Sequence, residues 1–135
     1  MKIYIDENFP PQLARGLDVL QAPLNTDSLK FEIRSIRDQW KGAGDEEWIP
    51  KAGMEGAVVM TQDYHIQTTR HQRDLYQRYG LGIFFFKPPS RTGYGYWDMV
   101  RQIILRWEEI KKLIQKNKRP FAFRCTQRRG FDRLD

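Results

Sequence analysis

Asp6, Asp63 and the adjacent Asp45 and Glu46 are the residues whose type and setting could do chemistry. Asp6 closes the run Lys2-Ile3-Tyr4-Ile5, and Asp63 closes Ala57-Val58-Val59-Met60-Thr61-Gln62. A charge at the end of a buried run needs a partner, a cap or a metal. If the two runs are parallel neighbours, both aspartates converge on one sheet edge and repel unless a proton or a cation sits between them. Three or four carboxylates forming an oxygen-only site suit Mg²⁺ or Mn²⁺, hard cations that keep waters and share them with substrate phosphates. Such a cation generates hydroxide and stabilises a phosphoryl transition state. Asp45 taken alone reads first as a helix cap, since it precedes Glu46 and Glu47 in a first turn.

The elements that must position these residues follow from periodicity. Ile3 and Ile5 alternate with Lys2 and Tyr4, a short strand, and Phe9-Pro10-Pro11 then starts a helix from Pro10 to about Leu20, with Asn8 as its expected cap. Asp6 thus falls where a strand stops and a helix begins, the edge at which open α/β sheets bind ligands. Phe31 to Ile36 alternates and reads as a second strand, with a short helix as the competing reading. Lys41 to Gly44 is a loop; the helix after Asp45 is expected to be short or to start late, because Pro50 strains it. Val58–Thr61 is the central strand, Ile66 to Tyr79 a helix ending at Gly80, and Gly82–Phe86 a buried strand stopped by Pro88 and Pro89. One long helix is predicted from about Tyr96 to Asn117, with Val100, Ile103, Ile104, Trp107, Ile110, Leu113 and Ile114 as its apolar stripe. Phe121 to Cys125 alternates and reads as a last strand at a sheet edge. Strands alternating with helices predict a three-layer α/β/α sandwich around a mainly parallel sheet.

A length of 135 residues fits one domain with a real core, and 30% charged residues beside 40% hydrophobic ones fit a soluble rather than a disordered chain. No apolar run approaches the roughly 20 residues that span a bilayer. Lys2, Asp6 and Glu7 interrupt any signal-peptide pattern, so a cytoplasmic location without membrane partners is the expectation. The single cysteine, Cys125, excludes an internal disulfide and a thiolate cluster. Charge is polarised. From Lys111 onward nine Lys or Arg face only Asp132 and Asp135, which leaves 14 basic and 15 acidic residues in the first 110. Lys116, Lys118, Arg119, Arg124, Arg128, Arg129 and Arg133 form a cationic C-terminal strand or tail, from about residue 118, suited to a polyanion. A solvated helix end is the plain alternative.

Three stretches resemble the PIN-like nuclease domains. Ile3-Tyr4-Ile5-Asp6-Glu7-Asn8-Phe9-Pro10 resembles their opening strand, Gly44-Asp45-Glu46-Glu47-Trp48-Ile49-Pro50-Lys51-Ala52-Gly53 their second acidic motif, and Val58-Val59-Met60-Thr61-Gln62-Asp63 their third. Order and spacing cover about residues 1–87, and the chain is most similar to small standalone proteins of the VapC toxin type. The resemblance implies a ribonuclease that uses Mg²⁺ or Mn²⁺. Asp6 and Asp63 would be direct ligands, and Asp45 or Glu46 would bind metal or orient the attacking water. It also implies RNA as substrate and an antitoxin protein as partner, and it leaves a homodimer open. Arg128 and Arg129 would contact RNA phosphates. One departure stands out: relatives with Thr-x-Asp often supply a fourth acid two residues on, where this chain has His65.

Two other readings stay open. A non-catalytic RNA-binding module would keep the basic region and a degenerate acidic site. Lys87-Pro88 after a Phe-rich strand, with an acid pair at the first strand, resembles a receiver domain, but no strand ending in a phosphoacceptor Asp precedes the Thr strand. Trp40, Trp48 and Trp107 read as packing residues, His71 as part of a solvated helix face, and Tyr94 and Tyr96 as the better base-stacking candidates.

Overall fold

The structure, a computed structural model, describes residues 1–62, 66–89, 95–126 and 130–134, with the backbone alone for 66–69. The chain runs β1 (Lys2–Ile5), α1 (Pro11–Gln21), a short 3₁₀ turn (Ala22–Leu24), β2 (Glu32–Ser35), α2 (Ile36–Gln39), α3 (Asp45–Met54), β3 (Val58–Gln62), α4 (Ile66–Arg78), β4 (Gly82–Phe86), α5 (Tyr96–Leu105), α6 (Trp107–Lys116), β5 (Phe121–Thr126) and β6 (Gly130–Arg133). The six strands form one sheet in the order β2-β1-β3-β4-β5-β6. All neighbours are parallel except β5 and β6.

Alternation along each strand divides the core into two apolar layers. Ile3, Ile5, Ile33, Val58, Met60, Phe84 and Phe86 meet Leu13 and Leu17 of α1 together with Ile103, Trp107, Ile110 and Ile114 of α5 and α6. On the other face Tyr4, Val59, Ile83 and Phe85 meet Trp48, Ile49 and Ala52 of α3 and Tyr76 of α4. A parallel sheet covered on both faces demands strands without a wet side, and every residue of β3 and β4 is buried. The expected three-layer α/β/α sandwich is the fold observed.

Several local expectations are corrected. Asn8 does not cap α1: the helix starts after Pro10 without a side-chain cap, and the Asn8 amide bonds across to β3 instead. Asp45 is the first residue of α3 rather than its cap, and α3 continues through Pro50 to Met54. Burial of Trp48, Ile49 and Ala52 outweighs the one hydrogen bond that the proline removes. The long C-terminal helix is two helices broken at Arg106, whose φ of −102° and ψ of 5° leave the α region. The break turns Ile104 and Leu105 outward while Trp107 and Ile110 return to the core. Finally, β5 is not an edge strand, because β6 pairs outside it with Arg124 opposite Asp132.

The topology also explains why the site falls where it does. From β1 the chain moves outward to β2 on one side, then returns to place β3 on the other side. Strand order reverses at β1 and β3, and their carboxyl ends open a crevice there.

Candidate active site

Asp6 follows β1 directly and keeps the ladder for one more step, its backbone N–H donating to the Met60 carbonyl at 2.9 Å. Its side chain is only 7% exposed. One carboxylate oxygen, Oδ1, accepts the Glu7 backbone N–H at 2.7 Å. The other, Oδ2, accepts the Thr61 hydroxyl, also at 2.7 Å. Ile5 is in register with Met60, so Thr61 is the residue that β3 presents beside Asp6. Burial pushes the Asp6 carboxyl above its ordinary value; the two hydrogen bonds pull the other way, and the Asp45 charge adds to the rise.

Asn8 and Gln62 hold this arrangement from behind. Asn8 Nδ2 donates to Thr61 Oγ1 at 3.2 Å, and Gln62 Nε2 donates to the Asn8 carbonyl at 2.7 Å. With a Thr61 lone pair taken by Asn8, the single hydroxyl proton is left to point at Asp6. Asn8 Oδ1 and Gln62 Oε1 are buried acceptors without a hydrogen-bond partner.

Asp45 lies on the first turn of α3 with Glu46 and Glu47, where the helix dipole favours acids. Its Oδ1 accepts the Trp48 indole N–H at 3.1 Å, a contact within one helical turn that fixes the carboxylate. Glu46 is solvent-exposed on the same turn. Beneath the acids lies an aromatic floor: Trp40 stacks on Trp48 with centroids 6.4 Å apart, and Tyr76 leans on Trp48 at 6.0 Å. Trp48 is buried there and Trp107 in the opposite layer, so both are packing residues as expected. His71 is exposed on α4 and Tyr96 is exposed at the start of α5, against Trp97.

Asp6 and Asp45 are therefore brought within each other's field. Asp63, His65, Tyr94, Arg128 and Arg129 lie outside the described residues. Among the described residues no three Asp, Glu, His or Cys side chains cluster tightly enough to hold a metal. The donor chemistry nonetheless fits a hard divalent cation. A buried carboxylate, its ionisation opposed by burial, lies within the field of a second, part-buried one, and the unpartnered Asn8 Oδ1 lies one hydrogen bond from the Thr61–Asp6 pair. Sequence reasoning missed the roles of Thr61, Asn8 and Trp48. Thr61 was legible in principle, since it shares a face with Asp6 once β1 and β3 are neighbours.

A parallel sheet covered on both faces, with a buried aspartate at the switch point and a second acid opposing it from a helix start, defines an α/β domain built around a carboxylate site. The PIN like domain family matches residues 1–88, which span β1 to β4 and both of these acids, and the chain belongs to that family. PIN-like domains are commonly nucleases. Neither the curated proteins nor the solved structures hold a match to this chain. No helix among the described residues is long and apolar enough to cross a membrane.

Proposed function

We propose that this protein is a ribonuclease dependent on Mg²⁺ or Mn²⁺, acting in the cytoplasm as the toxin of a toxin–antitoxin pair. The observation that carries this reading is the buried Asp6 carboxylate, held by the Glu7 N–H and the Thr61 hydroxyl while burial, and to a lesser extent the Asp45 charge, oppose its ionisation. Asp45 suits the start of α3 in its own right, yet its charge also falls on the buried Asp6 carboxylate. A cation relieves that repulsion and gives both charges a purpose.

In this reading Asp6 and Asp63 hold the cation, and Asp45 binds it or orients the attacking water, with the exposed Glu46 as the alternative for the second role. Bound there, the cation would supply Lewis-acid stabilisation of the scissile phosphate and a water of lowered pKa. The chain's own residues do the rest. Thr61 and the Glu7 N–H fix the Asp6 carboxylate, Trp48 fixes Asp45, and the aromatic floor keeps the inner side of the pocket dry. Arg128 and Arg129 would hold RNA phosphates.

Cleavage of RNA with and without Mn²⁺ tests the assignment in wild type, Asp6→Asn and Asp63→Asn. Wild type is expected to cut only with the metal, and both variants to stay folded but inactive. Equal cleavage by all three would trace the activity to a contaminant. Wild type that binds RNA without cutting would favour a binding module. The toxin role predicts growth arrest on expressing wild type but not Asp6→Asn, relieved by a small open reading frame co-transcribed with the gene.

A further inference from the structure

Tyr76 lies on α4, is 1% exposed, and carries a buried hydroxyl with no hydrogen-bond partner. A buried donor left unpaired weakens the folded state, and a phenylalanine would fill the same space without that cost. The surroundings place the Tyr76 ring beside the acid pair's supports. Tyr76 packs on Trp48, the indole of which donates to Asp45 Oδ1, and it shares its layer of the sheet with Tyr4 and Val59, the face to which Asp6 and Thr61 belong by alternation. Burial raises the Tyr76 pKa well above its ordinary value, and the charges of Asp6 and Asp45 raise it further, so the phenol stays a proton donor within the field of both carboxylates.

Among the described residues, Glu7 N–H and Thr61 donate to Asp6, and Trp48 donates to one oxygen of Asp45. We propose that the unpartnered Tyr76 hydroxyl is a further donor, a positioning residue that steadies the Asp6–Asp45 pair through one buried water when both acids are ionised around a cation. A single water would serve, because it can accept from the phenol and donate to a carboxylate with which the phenol makes no direct hydrogen bond. The role rests on the metal-dependent reading above. It makes no contact with RNA or with the cation itself. Nothing in the sequence marks it, since Tyr76 sits in a helix otherwise rich in Arg and Gln.

Tyr76→Phe separates this role from a packing role. Thermal melting and RNA cleavage, each titrated with Mn²⁺, should be measured on wild type, Asp6→Asn and Tyr76→Phe. The metal-free Tyr76→Phe protein is expected to melt at or above the wild-type temperature. Its half-saturating Mn²⁺ concentration should rise by about 10- to 100-fold, the usual effect of losing a partner that orients metal ligands, with the rate at saturating Mn²⁺ close to wild type. A titration identical to wild type would overturn the proposal. So would a metal-free variant that melts well below wild type, because the hydroxyl would then have a partner in the fold itself. Wild type with neither a Mn²⁺-induced shift nor cleavage would instead overturn the metal-dependent reading, and the Tyr76 role with it. A responsive wild type beside an unaltered Tyr76→Phe would sink the Tyr76 role alone.

Discussion

Asp6 is held in a state that is costly without a counter-charge. Because burial raises its pKa above the ordinary 3.8, the folded chain binds more protons than the unfolded chain between the two values. Stability of the metal-free protein therefore falls as pH rises through that window, and the penalty is complete above it. Asp6→Asn removes the titration, so its melting temperature relative to wild type should climb with pH across the window and then level off. A constant difference from acid to neutral pH would show that Asp6 is not burdened by its charge. Thr61→Val tests the opposite contribution. It deletes the hydroxyl that lowers the Asp6 pKa and leaves a buried carboxylate oxygen short of a donor, at a cost of about 1.5–3 kcal/mol at neutral pH. The Asp6 pKa then rises further, and the half-saturating Mn²⁺ concentration should increase most on the acid side. Asp6 was readable from sequence because a charge ends a buried run. Thr61 was within reach of the same reading, since pairing β1 with β3 sets it beside Asp6, but Asn8 was not, because a polar residue before a helix looks the same whether it caps or reaches across.

At the scale of elements, periodicity read strands and helices well where the residues themselves stop the element. Pro88 ends β4 and Gly80, with φ of 74°, follows α4, both visible in the sequence. The break between α5 and α6 was invisible because Arg106 is a good helix former; its guanidinium bonds Gln102 Oε1 at 3.4 Å one turn back and the Thr126 carbonyl at 3.3 Å, the second contact made only after β5 is in place. Likewise β6 is too short and too charged to announce itself, yet it pairs along its length with β5. The element that carries Asp45 depends on one close approach. At Gly53 of α3 a Cβ would sit 2.5 Å from the Tyr79 carbonyl oxygen and 2.9 Å from Tyr79 Cβ, just past the end of α4. Backbone cannot swing aside as a side chain does, so Gly53→Ala must push α3 away from α4. Overpacking of this kind costs about 1–3 kcal/mol, more than the roughly 1 kcal/mol that alanine gains in helix propensity. The variant should melt lower than wild type and cleave less, since Asp45 moves with α3. A variant of raised stability would show that the two helices have slack between them.

Across the whole molecule, the basic C-terminal region is divided by the sheet rather than forming a free arm. Since β5 runs parallel to β1 and β3, the residues before it lie at the amino edge and those after it at the carboxyl edge, where Asp6 sits. Arg119 accordingly lies against Gly56 and Met1, which precede β3 and β1. Arg133 returns on β6 to bond Asn117 Oδ1 at 2.7 Å. Thr126 and Gly130, which flank Arg128 and Arg129 in the chain, are paired at the carboxyl edge. That edge places the ends of β1 and β5 three strand spacings apart, about 14 Å. An RNA strand with one phosphate at the acid pair would therefore run along the edge that holds Thr126 and Gly130, away from Lys118 and Arg119. Arg128→Gln combined with Arg129→Gln should weaken single-stranded RNA binding and flatten its dependence on log salt by about 1.4, or about 0.7 for each phosphate no longer neutralised. Lys118→Gln with Arg119→Gln removes the same charge from the opposite edge and should leave the slope as in wild type. Equal slopes in all three proteins would reject the phosphate role of Arg128 and Arg129. The excess positive charge would then be left to an acidic protein partner.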